Sequence, residues 1–327
     1  MKNYRIAANV EWTSKCNALC PMCPRGLIEH PQIMTSETWQ QVLRRLASKH
    51  VFRTVIAGYG EPTTHNQFFD FVDQLRIHPG KFDMASNGHL LDEKLIRHLD
   101  GAIGVLIFSF SSVDLDVYKQ VHANLDQARA MANIQLAQKL FKHTKLMISL
   151  TPMPECLPTL PDTIRWLQAQ GVKYLSMSPT LYNRGGSLQG QDLSTEKLRR
   201  TISQYSLLSQ EFDFIPSPIE IAKQWYSNRF KCVPRNTDIL ISASGDYLYC
   251  YNDVKHEHSI GHVSSMSIRD ALVKREDMEA IPSLCDACNL RHRYGAGELT
   301  KTALRYAGTK IKTSLKSRFA TIECHTQ

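Results

Sequence analysis

Short β-rich runs alternate with helical patterns through the first two-thirds of this chain of 327 residues, and that alternation narrows the fold more than any other feature. The strand-like runs are 6–12, 53–57, 82–86, 105–109, 146–151 and 174–178. Helical patterns lie between them at 36–50, 67–77, 92–99, 125–143 and 163–170, and a further helix is expected at 195–212, after the Gly-rich polar loop 183–192. The first helix has Thr35 or Ser36 as N-cap and Trp39, Val42, Leu43 and Leu46 at helical spacing. β-α units in series mean a parallel sheet with right-handed crossovers, curled or flat. In such sheets chemistry gathers at the C-terminal strand ends.

The pattern changes at Pro216-Ser217-Pro218, which reads as a boundary. Beyond it a β-hairpin is expected, with strands at 239–242 and 247–251 around a turn at Ala243-Ser244-Gly245-Asp246. A short helix near 268–274 follows. The expected division is 1–215, 216–290 and a basic tail, 291–327. The middle unit is too small for a generous core and is expected to need a metal to hold its shape.

Hydrophobic residues make up 43% and charged residues 21%, which excludes a disordered chain. No stretch approaches the roughly 18 apolar residues of a membrane span, and no apolar signal segment follows Met1-Lys2-Asn3-Tyr4-Arg5. The expected location is the cytoplasm. Of the net charge of +8, the stretch 289–327 carries +6, from eight Lys or Arg against Glu298 and Glu323. Such a tail suits an acidic partner, a nucleic acid, or simply a solvated helix face.

Nine cysteines are many for a reducing compartment, where disulfides are rare. Cys16, Cys20 and Cys23 form C-x3-C-x2-C, and Cys285 and Cys288 form C-x2-C. Cys232 and Cys250 precede the second pair, leaving Cys156 and Cys324 outside both groups. Chance alone would give the triple spacing roughly 0.007 times in this composition, so the groups point to metal. Structural zinc is one reading; it closes with four Cys or His ligands and favours paired knuckles. An iron–sulfur cluster is the other: three thiolates on one short loop after a parallel strand would hold three irons and leave the fourth open.

The stretch Val10-Glu11-Trp12-Thr13-Ser14-Lys15-Cys16-Asn17-Ala18-Leu19-Cys20-Pro21-Met22-Cys23 closely resembles the signature of radical S-adenosylmethionine (radical SAM) enzymes. Met22 stands where an aromatic is frequent. Gly58-Tyr59-Gly60-Glu61-Pro62 resembles the family's Gly-Gly-Glu-Pro segment, with Tyr59 in place of a glycine. Ser86-Asn87-Gly88 resembles its Thr/Ser-Asn-Gly turn, and Ser109 and Ser111 match the place of ribose or carboxylate contacts. The resemblance implies a partial (β/α)6 TIM-like barrel, a 4Fe–4S cluster on Cys16, Cys20 and Cys23, and S-adenosylmethionine held by Gly58, Gly60, Glu61, Ser86, Asn87, Ser109 and Ser111. Each of these polar residues could equally serve a turn or a cap.

Cys232, Gly245-x4-Cys250 and Cys285-x2-Cys288 resemble the shortened SPASM module called a twitch domain, with Gly261-His262-Val263 and Ser267-Ile268-Arg269-Asp270-Ala271-Leu272 fitting its loop and helix. The resemblance implies one auxiliary 4Fe–4S cluster on Cys232, Cys250, Cys285 and Cys288, zinc on the same four being the competing reading.

In this family the reduced cluster cleaves S-adenosylmethionine to a 5′-deoxyadenosyl radical, which abstracts a substrate hydrogen. A fully ligated auxiliary cluster could accept a second electron. The resemblance therefore implies an oxidoreductase acting on a small alcohol, sugar or cyclitol, supplied with electrons by a flavodoxin or ferredoxin. The alternatives are a radical epimerase with Cys156 returning the hydrogen atom, or a SPASM-type peptide modifier. Arg184 is a candidate for binding a carboxylate of S-adenosylmethionine or of an anionic substrate. A metal-dependent nucleic-acid-binding protein would leave the β-α units unexplained.

Overall fold

The computed structural model describes residues 6–151, 153–177 and 238–285, together with Thr201, Gln204, Tyr205, Leu207, Cys288 and Leu304. The expected helix at 195–212 falls almost wholly outside these residues, and Arg184, Cys232 and all of the basic tail but Leu304 lie outside them.

The elements follow the expected alternation. They are β1 (Ile6–Val10), α1 (Ser36–Leu46), β2 (Val51–Ile56), α2 (Phe68–Ile77), β3 (Phe82–Ser86), α3 (Glu93–Leu99) and β4 (Val105–Ser109). Then come α4 (Leu115–Val121), α5 (Gln127–Leu140), β5 (Lys145–Leu150), α6 (Leu160–Ala169) and β6 (Tyr174–Met177). Local chemistry starts the helices. Thr35 accepts from Thr38 N at the head of α1, Asp92 from Leu95 N at α3, and Asp126 from Arg129 N at α5. Each satisfies a backbone N–H that the first turn would otherwise leave unpaired.

All described strands form one sheet of nine, ordered β6-β5-β4-β3-β2-β1-β7-β8-β9. Every pairing from β6 to β1 is parallel. Because this order never reverses, right-handed crossovers place the connecting helices on a single face. The residues agree. Ile6, Ala8, Val10, Ile56, Phe82, Met84, Leu106, Phe108, Leu146 and Ile148 share one buried core with Trp39, Phe71, Ile96 and Ile134 from the helices. The alternate positions Val55, Ile107 and Met147 form a separate small cluster on the opposite face. That face also carries the Arg53–Asp83 ion pair and the Asn9–Asp238 hydrogen bond.

The C-terminal strands extend this sheet. β7 (Asp238–Ile241) pairs parallel with β1, while β8 (Asp246–Leu248) and β9 (Ser259–His262) continue antiparallel. β1 therefore has a neighbour on both sides, and all five of its residues are buried. The helices α7 (Ile268–Asp277) and α8 (Pro282–Cys285) follow. The hairpin expected from the sequence is present; its parallel partnership with β1 and the third strand, β9, were not expected. No helix among the described residues is long and apolar enough to cross a membrane.

Candidate active site

The chain leaving β1 carries the first cysteine group, and its base is fixed before the first thiol. Trp12 is fully buried and packs edge-on against Trp39, Phe68 and Phe71, with centroids 5.4–5.9 Å apart. Burying rings of this size contributes roughly 2–3 kcal/mol each. The loop that follows is closed at its neck: Ser14 N donates to Gln32 O at 3.0 Å, and Met34 N to Trp12 O at 2.8 Å. From the side, Leu19 N donates to Ala123 O and Asn124 Nδ2 to Asn17 O, tying the loop to the end of α4.

Cys16, Cys20 and Cys23 line one cavity of about 220 Å³, together with residues that follow β2, β3, β4 and β5. Burial first, then the neighbouring thiols, pushes Cys20 up to about 12; burial likewise raises Cys16. Cys16 Sγ accepts from Ala18 N at 3.4 Å and from Asn87 Nδ2 at 3.8 Å. Among the described residues no three His, Cys, Asp or Glu side chains stand close enough to share a single metal ion. Three thiols on one cavity wall, each able to take a different iron, fit the donor set of a 4Fe–4S cluster better than one tetrahedral zinc.

Behind the cysteines the Gly58–Glu61 segment packs closely, Gly60 against the backbone of residues 13–15 and Gly58 against the Glu11 side chain. A side chain at Gly60 would lie 2.1 Å from Thr13 O, and one at Gly58 would lie 2.3 Å from Glu11 Oε2. Only glycine permits that approach. Glu61 is fully enclosed, and its carboxylate organises the β3 turn. Oε1 accepts from Ser86 Oγ at 2.8 Å and Thr63 Oγ1 at 2.7 Å, while Oε2 accepts from Asn87 N at 2.7 Å. Burial raises its pKa, and these donors oppose the rise. Gly88 completes the turn at φ +70°, a conformation costly for any residue with a Cβ. Glu11 is also buried; burial pushes it up to about 7, against the hydrogen bond from Tyr59 N at 2.6 Å.

Of the residues singled out in the sequence, Gly58, Gly60, Glu61, Ser86, Asn87 and Ser109 line the cavity with the three cysteines. Ser111 is buried beside it, with its Oγ held by Thr151 N and His122. Cys156 is 1% exposed, packs in the main core and is absent from the cavity wall. Burial pushes its thiol up to about 12. The wall also holds Met153, from the loop 152–161 where the sequence suggested pocket residues, and His122 and Thr151, which sequence reasoning missed. Neither His122 nor Thr151 stands in a motif; α4 and β5 bring them there.

In the second group, Asn252 N donates to Cys250 Sγ at 3.3 Å, and Cys288 N donates to Cys285 O at 3.2 Å in a tight turn. Cys285 and Cys288 are buried. This unit touches the cavity wall directly, through the Tyr59 hydroxyl, which donates to the backbone carbonyl of Tyr251.

Known proteins resemble this chain in sequence or in fold. A tungsten-containing aldehyde ferredoxin oxidoreductase cofactor-modifying protein of Pyrococcus furiosus is 25% identical over 182 residues, 53% of this chain and 51% of its own. A GTP 3′,8-cyclase of Pseudomonas putida is 28% identical over 140 residues, covering 41% of this chain and 42% of its own. The chain thus spans about half the length of the curated relatives it matches. The solved structure of Streptococcus suis SuiB bound to S-adenosylmethionine superposes with a TM-score of 0.67 at 15% identity, covering 88% of this chain and 71% of that one. Native anSMEcpe with bound AdoMet gives 0.60 at 14% identity, covering 95% and 99%. Residues 10–167 match the model of the Radical SAM superfamily, and the solved structures share the fold of the chain.

Proposed function

We propose that this protein is a radical SAM enzyme that oxidises its substrate by two electrons, within a partial (β/α)6 barrel flanked by a twitch-like unit. One observation carries the reading: Cys16, Cys20 and Cys23 share a cavity with the Gly58–Glu61 segment and the Ser86-Asn87 turn. In it Cys16, Cys20 and Cys23 hold a 4Fe–4S cluster, and the backbone after β2 and β3 holds S-adenosylmethionine. When bound, that pair would supply one-electron reductive cleavage of the sulfonium, with methionine as leaving group, and hydrogen-atom abstraction from carbon. The chain's own part is to orient the ligand, exclude water and fix the thiolates.

In this reading Cys232, Cys250, Cys285 and Cys288 hold an auxiliary 4Fe–4S cluster that takes the second electron. Cluster loading under anaerobic conditions should give about eight irons per chain. The Cys250→Ala protein should still cleave S-adenosylmethionine but uncouple cleavage from product. Full product yield from that variant would remove the electron-acceptor role. A flavodoxin or ferredoxin is the proposed electron donor, and the cytoplasm the proposed location.

The substrate is a small alcohol, sugar or cyclitol, or a peptide. The peptide reading has a specific support: SuiB bound to its precursor peptide SuiA covers 88% of this chain at a TM-score of 0.64. Product mass after turnover with sugars, cyclitols and peptides separates the two. The epimerase reading is less favoured, because Cys156, its candidate hydrogen donor, stands outside the cavity wall.

A further inference from the structure

Arg25 follows the last cysteine of the first group by two residues, and its side chain turns back across the loop. Nη2 donates to Ala18 O at 3.0 Å, and Ala18 N donates to Cys16 Sγ at 3.4 Å. The guanidinium is thus anchored to the stretch between Cys16 and Cys20. Anchoring fixes where the charge sits, and an arginine keeps that charge at any pH at which a protein is folded.

The surroundings give this cation its interest. The described residues of the cavity wall include the three cysteines and the Glu61 carboxyl, but no Lys or Arg. Lys15 adjoins Cys16 in sequence, yet its side chain is exposed, where water and salt screen it. Arg25 is half-buried and forms no ion pair with a carboxylate among the described residues. Its charge is therefore not spent elsewhere. Burial raises the Cys16 and Cys20 thiols; Arg25 opposes that rise at both, whereas Glu61 adds to it at Cys16. A charge that favours thiolate at two of the three cysteines favours any added negative charge at the same place. Reduction of a cluster held there adds one electron, and net charge is among the factors that set the potential of such a cluster.

We propose that Arg25 is the counter-charge of the cluster on Cys16, Cys20 and Cys23, stabilising its reduced form and so raising its reduction potential. The inference rests on the radical SAM reading above. It makes the Ala18 contact the anchor that holds the charge in place, rather than the whole role of the side chain.

The test is the midpoint potential of this cluster in the loaded full chain, read by EPR during anaerobic titration with titanium(III) citrate and no S-adenosylmethionine. The signal absent from the Cys16→Ala/Cys20→Ala/Cys23→Ala protein identifies the cluster. If wild type and that variant give the same signals, the family reading itself fails, and the inference with it. Given the signal, Arg25→Gln keeps an N–H donor but loses the charge. It should lower the reduced-to-oxidised ratio at a fixed applied potential at least tenfold, a shift of about 59 mV for one electron. Arg25→Lys keeps the charge and should stay within about threefold of wild type. A midpoint is read only on chains that carry the cluster, so partial loading does not disturb the comparison. Three results would each overturn the proposal. They are a wild-type midpoint in Arg25→Gln, equal shifts in the Gln and Lys variants, or an Arg25→Gln chain that loads no such cluster, which would make the side chain a clasp. Equilibrium dialysis adds one more check: a wild-type midpoint with tenfold weaker S-adenosylmethionine binding in Arg25→Gln would make Arg25 a ligand contact instead.

Discussion

Glu61 and Glu11 are carboxylates placed where burial works against their charge, and the site depends on how each is compensated. Glu61 receives four hydrogen bonds, from Thr63 N, Thr63 Oγ1, Ser86 Oγ and Asn87 N. Replacing it with Ala would leave the Asn87 N–H and the Ser86 hydroxyl unpaired in a buried place. The expected cost is about 2–4 kcal/mol of stability, with a tenfold or greater loss of S-adenosylmethionine affinity. Thermal unfolding and equilibrium dialysis check the two effects separately. Glu11 has less help. Its pKa rises from 4.5 unfolded to about 7 folded, so between those pH values the unfolded chain releases a proton that the folded chain retains. Stability on this account is fully present below about pH 4.5 and is lost as pH rises through 7, by about 3 kcal/mol in total. The thermal midpoint of wild type should therefore fall from pH 5 to pH 8 relative to that of Glu11→Gln. Parallel pH curves would show that Glu11 does not titrate in this window.

Between elements, the decisive contact joins the segment after β2 to the C-terminal strands. The Tyr59 hydroxyl reaches the Tyr251 carbonyl, Glu11 N donates to Ile241 O at 2.9 Å, and Arg45 Nε on α1 donates to Val263 O at 2.7 Å. Through Tyr251, the residue after Cys250, this contact is expected to couple the second cysteine group to the Gly58–Glu61 segment. Tyr59→Phe should cost about 1 kcal/mol and speed amide exchange in both 246–262 and 56–61. Faster exchange in only one of the two stretches would contradict the coupling. Gly60→Ala should be far more damaging, since its Cβ meets backbone, which cannot swing aside as a side chain can. The elements themselves were readable from the sequence wherever the signal is local. β3 and β4 match their expected limits, and α1 starts at the Thr35 cap. The expected helix at 36–50 overran because Lys49 and His50 continue a polar stretch that no core contact holds in helical form. α4 was missed: its seven residues bury only Tyr118 and Val121, too few to show a period.

At the scale of the molecule, the nine-stranded sheet brings together segments that lie far apart in the sequence. β7 lies beside β1 although 227 residues lie between Val10 and Asp238, and no local pattern announces a parallel pairing over that distance. The cysteine triad and the Gly58–Glu61 segment were legible because their chemistry requires fixed residue types at fixed spacing. His122 was not, because it reaches the wall through α4 and is recognisable only by what surrounds it. The central claim is that Cys16, Cys20 and Cys23 hold the cluster that cleaves S-adenosylmethionine. The most direct measurement is 5′-deoxyadenosine formation by the reduced, reconstituted Cys16→Ala/Cys20→Ala/Cys23→Ala protein, with iron counted in the same sample. The account predicts no 5′-deoxyadenosine while about four irons per chain remain; continued cleavage of S-adenosylmethionine by that variant would contradict it.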